Sequence, residues 1–141
     1  MLFQTCAIAS RIPLHHHSHS HTVAKATYPP LTVELCELLV PTEDTFEWWM
    51  KTDQNGLNCL HKLVLDRRDD ADVLLHDMEV LLSVILNDKK RQGGKEKCKK
   101  VINGLVNMDT NWGSPIRCAN RYVADLKARR QVCDMMRGAC A

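Results

Sequence analysis

Beyond residue 30, apolar positions recur at a helical period. Leu74, Leu75, Met78, Leu81, Leu82, Ile85 and Leu86 keep a 3.6-residue spacing, which predicts a long helix over about 73–87. Leu35, Cys36, Leu38 and Leu39 form a shorter stripe over about 32–40, with Thr32 placed as its cap and Pro41 as its stop. Further helices are predicted at about 58–65, from 114 to 121 or beyond, and at 132–136, with 121–130 lengthening one of the last two. Aromatic residues make up 5% of the chain while Leu, Val and Met are plentiful, a balance that suits helices better than sheets. The fold class expected is all-α. A chain of 141 residues builds one core, so a single domain is placed over 31–141.

Two stretches, 53–63 and 109–119, carry a shared order of local signals. Each opens with an aspartate, passes through a polar turn and reaches a cap at a helix start. Asn55-Gly56 is a turn pair, because both residues tolerate positive φ. Asn58 in the first copy and Ser114 in the second are placed to accept from orphan amides of the first helical turn. Pro115 follows at the first helical position, where a missing N–H costs nothing. Leu60 with Leu63, and Ile116 with Ala119, then lie three apart on one helix face.

This order resembles the ankyrin repeat, whose core reads Asp-x-x-Gly-x-Thr-Pro-Leu-His-x-Ala. The family's second-helix pattern, Val-x-x-Leu-Leu, is matched by Leu35-x-x-Leu38-Leu39, Leu82-x-x-Ile85-Leu86 and Val132-x-x-Met135-Met136, the last running into Gly138-Ala139 as a left-handed C-cap. The resemblance covers 31–141, about two and a half repeats. It implies an ankyrin-like solenoid of helix pairs joined by short hairpin loops. Cys59 stands where the family has proline, Arg117 where it has histidine, and Trp112 at the turn glycine, with Gly113 one place later. Positive φ at a tryptophan is strained, so an irregular second turn is expected. Asp53 and Asp109 lie 56 positions apart, against about 33 for one such repeat. Inserted sequence is expected at 66–72 and 87–100, both highly charged.

The resemblance implies a module that binds another protein and performs no catalysis. Its binding face of turn tips and first helices would comprise Lys51, Gln54 and Asn55 on one tip, Thr110, Asn111 and Trp112 on the other, and Lys62 on the first helix. Trp48 and Trp49 join them as interface candidates, since tryptophan is enriched at hot spots, with core packing as the competing reading. The resemblance also implies that the His61 ring bonds backbone and cap groups that tie one repeat to the next.

The remaining features change this picture little. The net charge is +2, too near neutral to imply nucleic acid by itself. No nucleophile elbow, phosphate-binding glycine loop or metalloprotease motif occurs. Cys59 and His61 diverge on a helix and form no nucleophile pair. No catalytic residue, metal, cofactor or small-molecule substrate is expected. Asp69, Asp70 and Asp72 lack calcium-loop spacing and read as the acidic start of a helix.

Seven cysteines without a Cys-x-x-Cys pair read as small buried hydrophobes in a reducing compartment. The longest strongly apolar run, 80–86, is far below the roughly 20 residues of a membrane span. Residues 1–30 read as a disordered leader with a histidine tract, His15 to His21, taken as a polar tail rather than a metal site. Residues 89–100 form a basic loop, open to readings as a nuclear import signal or phosphate patch, but expected to be solvated. The location expected is cytoplasmic, with nuclear entry left open. Two alternatives remain: part of a longer array, such as the cytosolic array of a sensory transient receptor potential channel, or a helical nucleic-acid binder using the basic loop.

Overall fold

A computed structural model of the chain describes residues 31–40, 46–87 and 94–140. Among these residues all regular structure is helical. The helices are α1 (Val33–Leu39), α2 (Phe46–Trp49), α3 (Cys59–Asp66), α4 (Ala71–Leu86), α5 (Lys95–Val106), α6 (Pro115–Tyr122) and α7 (Leu126–Cys140). The all-α class is as expected. The 1–30 leader and residues 89–93 of the basic run lie outside the described residues.

Local chemistry starts most of these helices where the caps stand. The Leu35 amide donates to Thr32 Oγ1 at 3.1 Å, opening α1. Asn58 Oδ1 accepts from the Leu60 and His61 amides at 2.9 and 3.1 Å, opening α3. The Val73 amide donates to Asp70 Oδ1 at 3.2 Å, so α4 starts at Ala71 and the linker from α3 is shorter than the charge pattern predicts. Ser114 caps α6 with Pro115 in its first turn. In α7, Asp125 Oδ1 accepts from the Lys127 and Ala128 amides at 3.0 and 3.1 Å. That cap starts α7 at Leu126, so of the stretch expected to lengthen one of the last two helices, residues 126–130 extend the last; α7 runs through Gly138, which is helical rather than a left-handed cap.

The helices form two rows. In one, α4 packs against both α1 and α7; in the other, α3 packs against α6. The pairs α3–α4 and α6–α7 join the rows, and α5 packs against α4 and α7 with lesser contacts to α3 and α6. Helix α4 is therefore surrounded, and it buries Leu74, Met78, Leu81, Leu82, Val84 and Ile85, a distribution too wide for a single stripe.

Helix α5 corrects the reading of 89–100 as a loop, since residues 95–100 are its first turns. Gly94 gives it no side-chain cap, and Lys95 and Lys97 oppose the dipole at its start. Burial outweighs both: Cys98, Val101, Ile102, Leu105 and Val106 face the core. Each large side chain among them contributes up to about 1.5–3 kcal/mol when fully buried.

Trp48 and Trp49 are 7% and 0% exposed, their rings edge-to-face with centroids 4.9 Å apart. They belong to the core rather than to an exposed surface: both are buried in a four-residue helical turn, and Met50 just after it lies against Gly104 of α5. A Cβ on Gly104 would come within 2.7 Å of Met50 Cε, the flexible end of that side chain, so an alanine there asks only for a small shift of Met50. The expected stripe of α1 is also only half right. Cys36 is buried, whereas Leu35 and Leu38 face solvent, Leu38 at 81% exposure.

One buried polar cluster fastens the start of the described chain to α4. Asp77 Oδ2 accepts from Arg67 Nε at 2.6 Å. Its Oδ1 accepts from the Leu31 amide at 3.1 Å and from His76 Nδ1 at 2.9 Å. Removing one partner of such a pair leaves a buried charge uncompensated, typically at a cost of about 3–5 kcal/mol.

Candidate partner-binding surface

The two aspartate-led stretches form turns that sit side by side at the starts of α3 and α6. In the first, Asp53 organises the backbone. Its Oδ1 accepts from the Asn55 and Leu57 amides at 2.8 and 3.0 Å, its carbonyl accepts from Gly56, and Gly56 carries the positive φ of 80° that closes the turn. In the second, Thr110 takes the organising part. Its hydroxyl accepts from the Trp112 amide at 2.9 Å and donates to the Gly113 carbonyl at 3.0 Å. The positive φ, 94°, falls on Gly113.

His61 joins the two units. The Asn58 amide donates to its Nδ1 at 3.1 Å, completing a reciprocal capping box with the Asn58 side chain. Because Nδ1 accepts, the ring proton lies on Nε2, which donates to the Gly113 carbonyl at 2.9 Å, 52 positions along the chain. Burial of the ring pushes its pKa below the ordinary value; the hydrogen bond to Gly113, the nearby Met108 backbone and the charges of Asp53 and Asp109 oppose that shift. Asn58 adds a second tie, its Nδ2 donating to the Leu105 carbonyl at 2.9 Å and lying 3.4 Å from the Met108 sulfur. Both Asn58 and His61 are fully buried. They are structural.

Around this frame the sequence candidates divide. Gln54, Asn55, Asn111 and Trp112 are exposed at the tips. Thr110 and Lys51 are half-buried, and the Thr110 hydroxyl is occupied within its own turn. Lys62 is partly covered, its Nζ 4.0 Å from Asp53 Oδ2. Trp48 and Trp49 are elsewhere, in the core. The turns and α3 thus bring seven of the nine candidates to one end of the molecule.

Two neighbours missing from that set stand out in the structure. Arg117 occupies the position in the second unit that His61 holds in the first, but it is exposed, and its stem lies across Gly113. Tyr122 places its ring 6.0 Å from that of Trp112, tilted by 55°. The sequence signal for Arg117 was present: an arginine cannot both accept from a cap amide and donate to the next unit, so it points outward. Cys118 Sγ donates to the Trp112 carbonyl at 3.3 Å; burial pushes its thiol up, against the nearby charge of Arg121.

Among the described residues no helix is long and apolar enough to cross a membrane. Comparison of the chain with protein-family models, curated proteins and solved structures finds no match.

Proposed function

We propose that this chain is an ankyrin-like interaction module that acts by occupying the surface of another protein, as an adaptor or inhibitor. The observation that carries the reading is His61, whose ring caps its own helix with one nitrogen and reaches the next turn with the other. That is the role the resemblance implies for a repeat-to-repeat tie. The side-by-side packing of α3 on α6 and of α4 on α7 supports it as well. The binding surface in this reading is the pair of turn tips with the outward sides of α3 and α6, centred on Trp112, which is 40% exposed. A large aromatic held on a turn of a rigid scaffold is suited to a hot-spot role.

The test is affinity purification of binding proteins on the full chain beside its Trp112→Ala variant. Proteins retained by the parent and lost by the variant, with the far-UV circular dichroism unchanged, fit the reading. Identical retention by Trp112→Ala and by Asn55→Ala and Asn111→Ala variants contradicts the assigned surface.

A second reading, a segment of a longer repeat array, draws on α1. Leu35 and Leu38 are exposed on a helix whose Cys36 is buried and which packs on α4, leaving an apolar face of the kind a neighbouring repeat covers.

A further inference from the structure

The basic residues of α6 and the start of α7 form a local cluster beside the second turn. Between Thr110 and Cys133 the chain carries five basic residues, Arg117, Arg121, Lys127, Arg129 and Arg130, against one acid, Asp125. Asp125 is engaged in capping α7. Arg129 donates from Nε to the Val123 carbonyl at 2.9 Å. Among the described residues, Arg67, Lys62 and Arg137 each have a carboxylate within 4.0 Å. Arg117, Arg121, Lys127 and Arg130 have none and are exposed. Arg68, Lys95, Lys97 and Lys100 are exposed as well, but only the first group lies beside an aromatic pair in ring contact.

Arg117 and Arg121 are four residues apart and therefore share one face of α6. That helix is fixed from behind, burying Pro115, Cys118 and Ala119. The Arg117 stem is held as well, because its Cδ would lie 2.8 Å from a Cβ built on Gly113. Beside the arginines stands the Trp112–Tyr122 pair.

We propose that this face of α6, with Trp112 and Tyr122 at its edge, docks an acidic peptide segment of a protein partner. The proposal rests on the interaction reading above and names the class of partner. Each guanidinium presents a planar fork of donors that matches a carboxylate. The roughly 5–6 Å between side chains one turn apart is near the roughly 6.6 Å between alternate residues of an extended strand. Acids at alternate positions of an extended segment therefore meet both arginines, and an apolar side chain of the same segment meets Trp112. Duplex nucleic acid draws its affinity from neutralising a long row of phosphates. Two adjacent guanidiniums beside an aromatic pair fit a short segment better.

The test is selection of a random peptide library on the immobilised full chain at physiological salt, followed by titration of the enriched peptides. The Arg117→Glu/Arg121→Glu double variant is compared with an Arg68→Glu/Arg137→Glu control. Arg117→Gln/Arg121→Gln replaces the reversal if circular dichroism shows that it fails to fold. Expected are peptides rich in Asp and Glu, whose affinity falls about tenfold or more in the first variant and stays within about twofold in the control. Enriched peptides without acidic character that are lost with Trp112→Ala overturn the acidic class while leaving the interaction reading intact. No enrichment overturns both. Equal losses in the variant and the control overturn the site. Tighter binding of a duplex oligonucleotide than of any peptide, lost in the same variant, overturns it in favour of nucleic acid.

Discussion

The turn-and-helix unit at 53–66 and the one at 109–122 have the same sequence order, yet they use their polar residues in opposite ways. In the first, Asp53, Asn58 and His61 all turn inward: Asp53 ties the turn, and Asn58 and His61 cap α3 and reach α5 and the second turn. In the second, Thr110 and Ser114 handle the turn and cap with single hydroxyls, and Arg117 in the place of His61 projects to solvent. The difference shows how one motif position can be structural in one copy and available for binding in the next. What decides it is whether the side chain can accept as well as donate. A neutral imidazole does both; a guanidinium only donates.

The sharpest way to break this contrast is to truncate both residues. His61→Ala leaves the Asn58 amide without its acceptor and opens a cavity in a fully buried site. The expected cost is about 2–4 kcal/mol, measured by urea denaturation of the full chain. Arg117→Ala, on the exposed face, should shift stability by no more than about 0.5 kcal/mol. Comparable losses for the two would erase the distinction.

The turn glycines sharpen it further. Gly56→Ala meets no atom within 4 Å, so only its positive φ resists, at about 1–2 kcal/mol. Gly113→Ala carries the same backbone cost, and its Cβ would also lie 2.9 Å from Arg117 Cβ, an atom near the backbone that cannot swing away. Gly113→Ala should be the worse of the two by about 1 kcal/mol or more. The reverse order would mean that the second turn is the looser one.

The pH dependence separates the units as well. His61 has a folded pKa below its ordinary 6.5, so between those two values the unfolded chain binds a proton that the folded chain refuses. Stability conferred by neutral His61 is present above 6.5 and is lost as pH falls through that window, at up to about 1.4 kcal/mol per pH unit. Parent and His61→Gln chains, melted in urea across this range, should differ in slope, the variant being flatter.

Much of this contrast was legible in the sequence, because capping acts over three or four residues. Thr32, Asn58, Ser114 and Pro115 all sit where their chemistry predicts, and the turn glycines carry the positive φ. What failed depends on contacts distant in sequence. Cys98, Val101, Ile102 and Leu105 keep a helical period, but the lysines around them masked it, and only packing against α4 and α7 decides that α5 forms. Trp48 and Trp49 have the composition of an interface and the location of a core, a choice local pattern cannot make. Asp77 interrupts the apolar face of α4 between Leu74 and Met78; its partners Arg67 and Leu31 lie 10 and 46 positions away. The exposed tip residues followed from turn chemistry and the outward Arg117 from its donor-only side chain, whereas Arg121 emerges only from the burial of the other side of α6.

The central claim is that His61 bridges the two units as a neutral ring with its proton on Nε2. Nitrogen-15 NMR of the imidazole in the full chain, followed from neutral to mildly acidic pH, tests it directly. The account predicts a protonated Nε2 and an unprotonated Nδ1 at neutral pH, with titration displaced below 6.5 and a cross-bond coupling from Nε2–H to the Gly113 carbonyl carbon. A proton on Nδ1, or titration at the ordinary value, would show that the ring neither completes the cap nor joins the units.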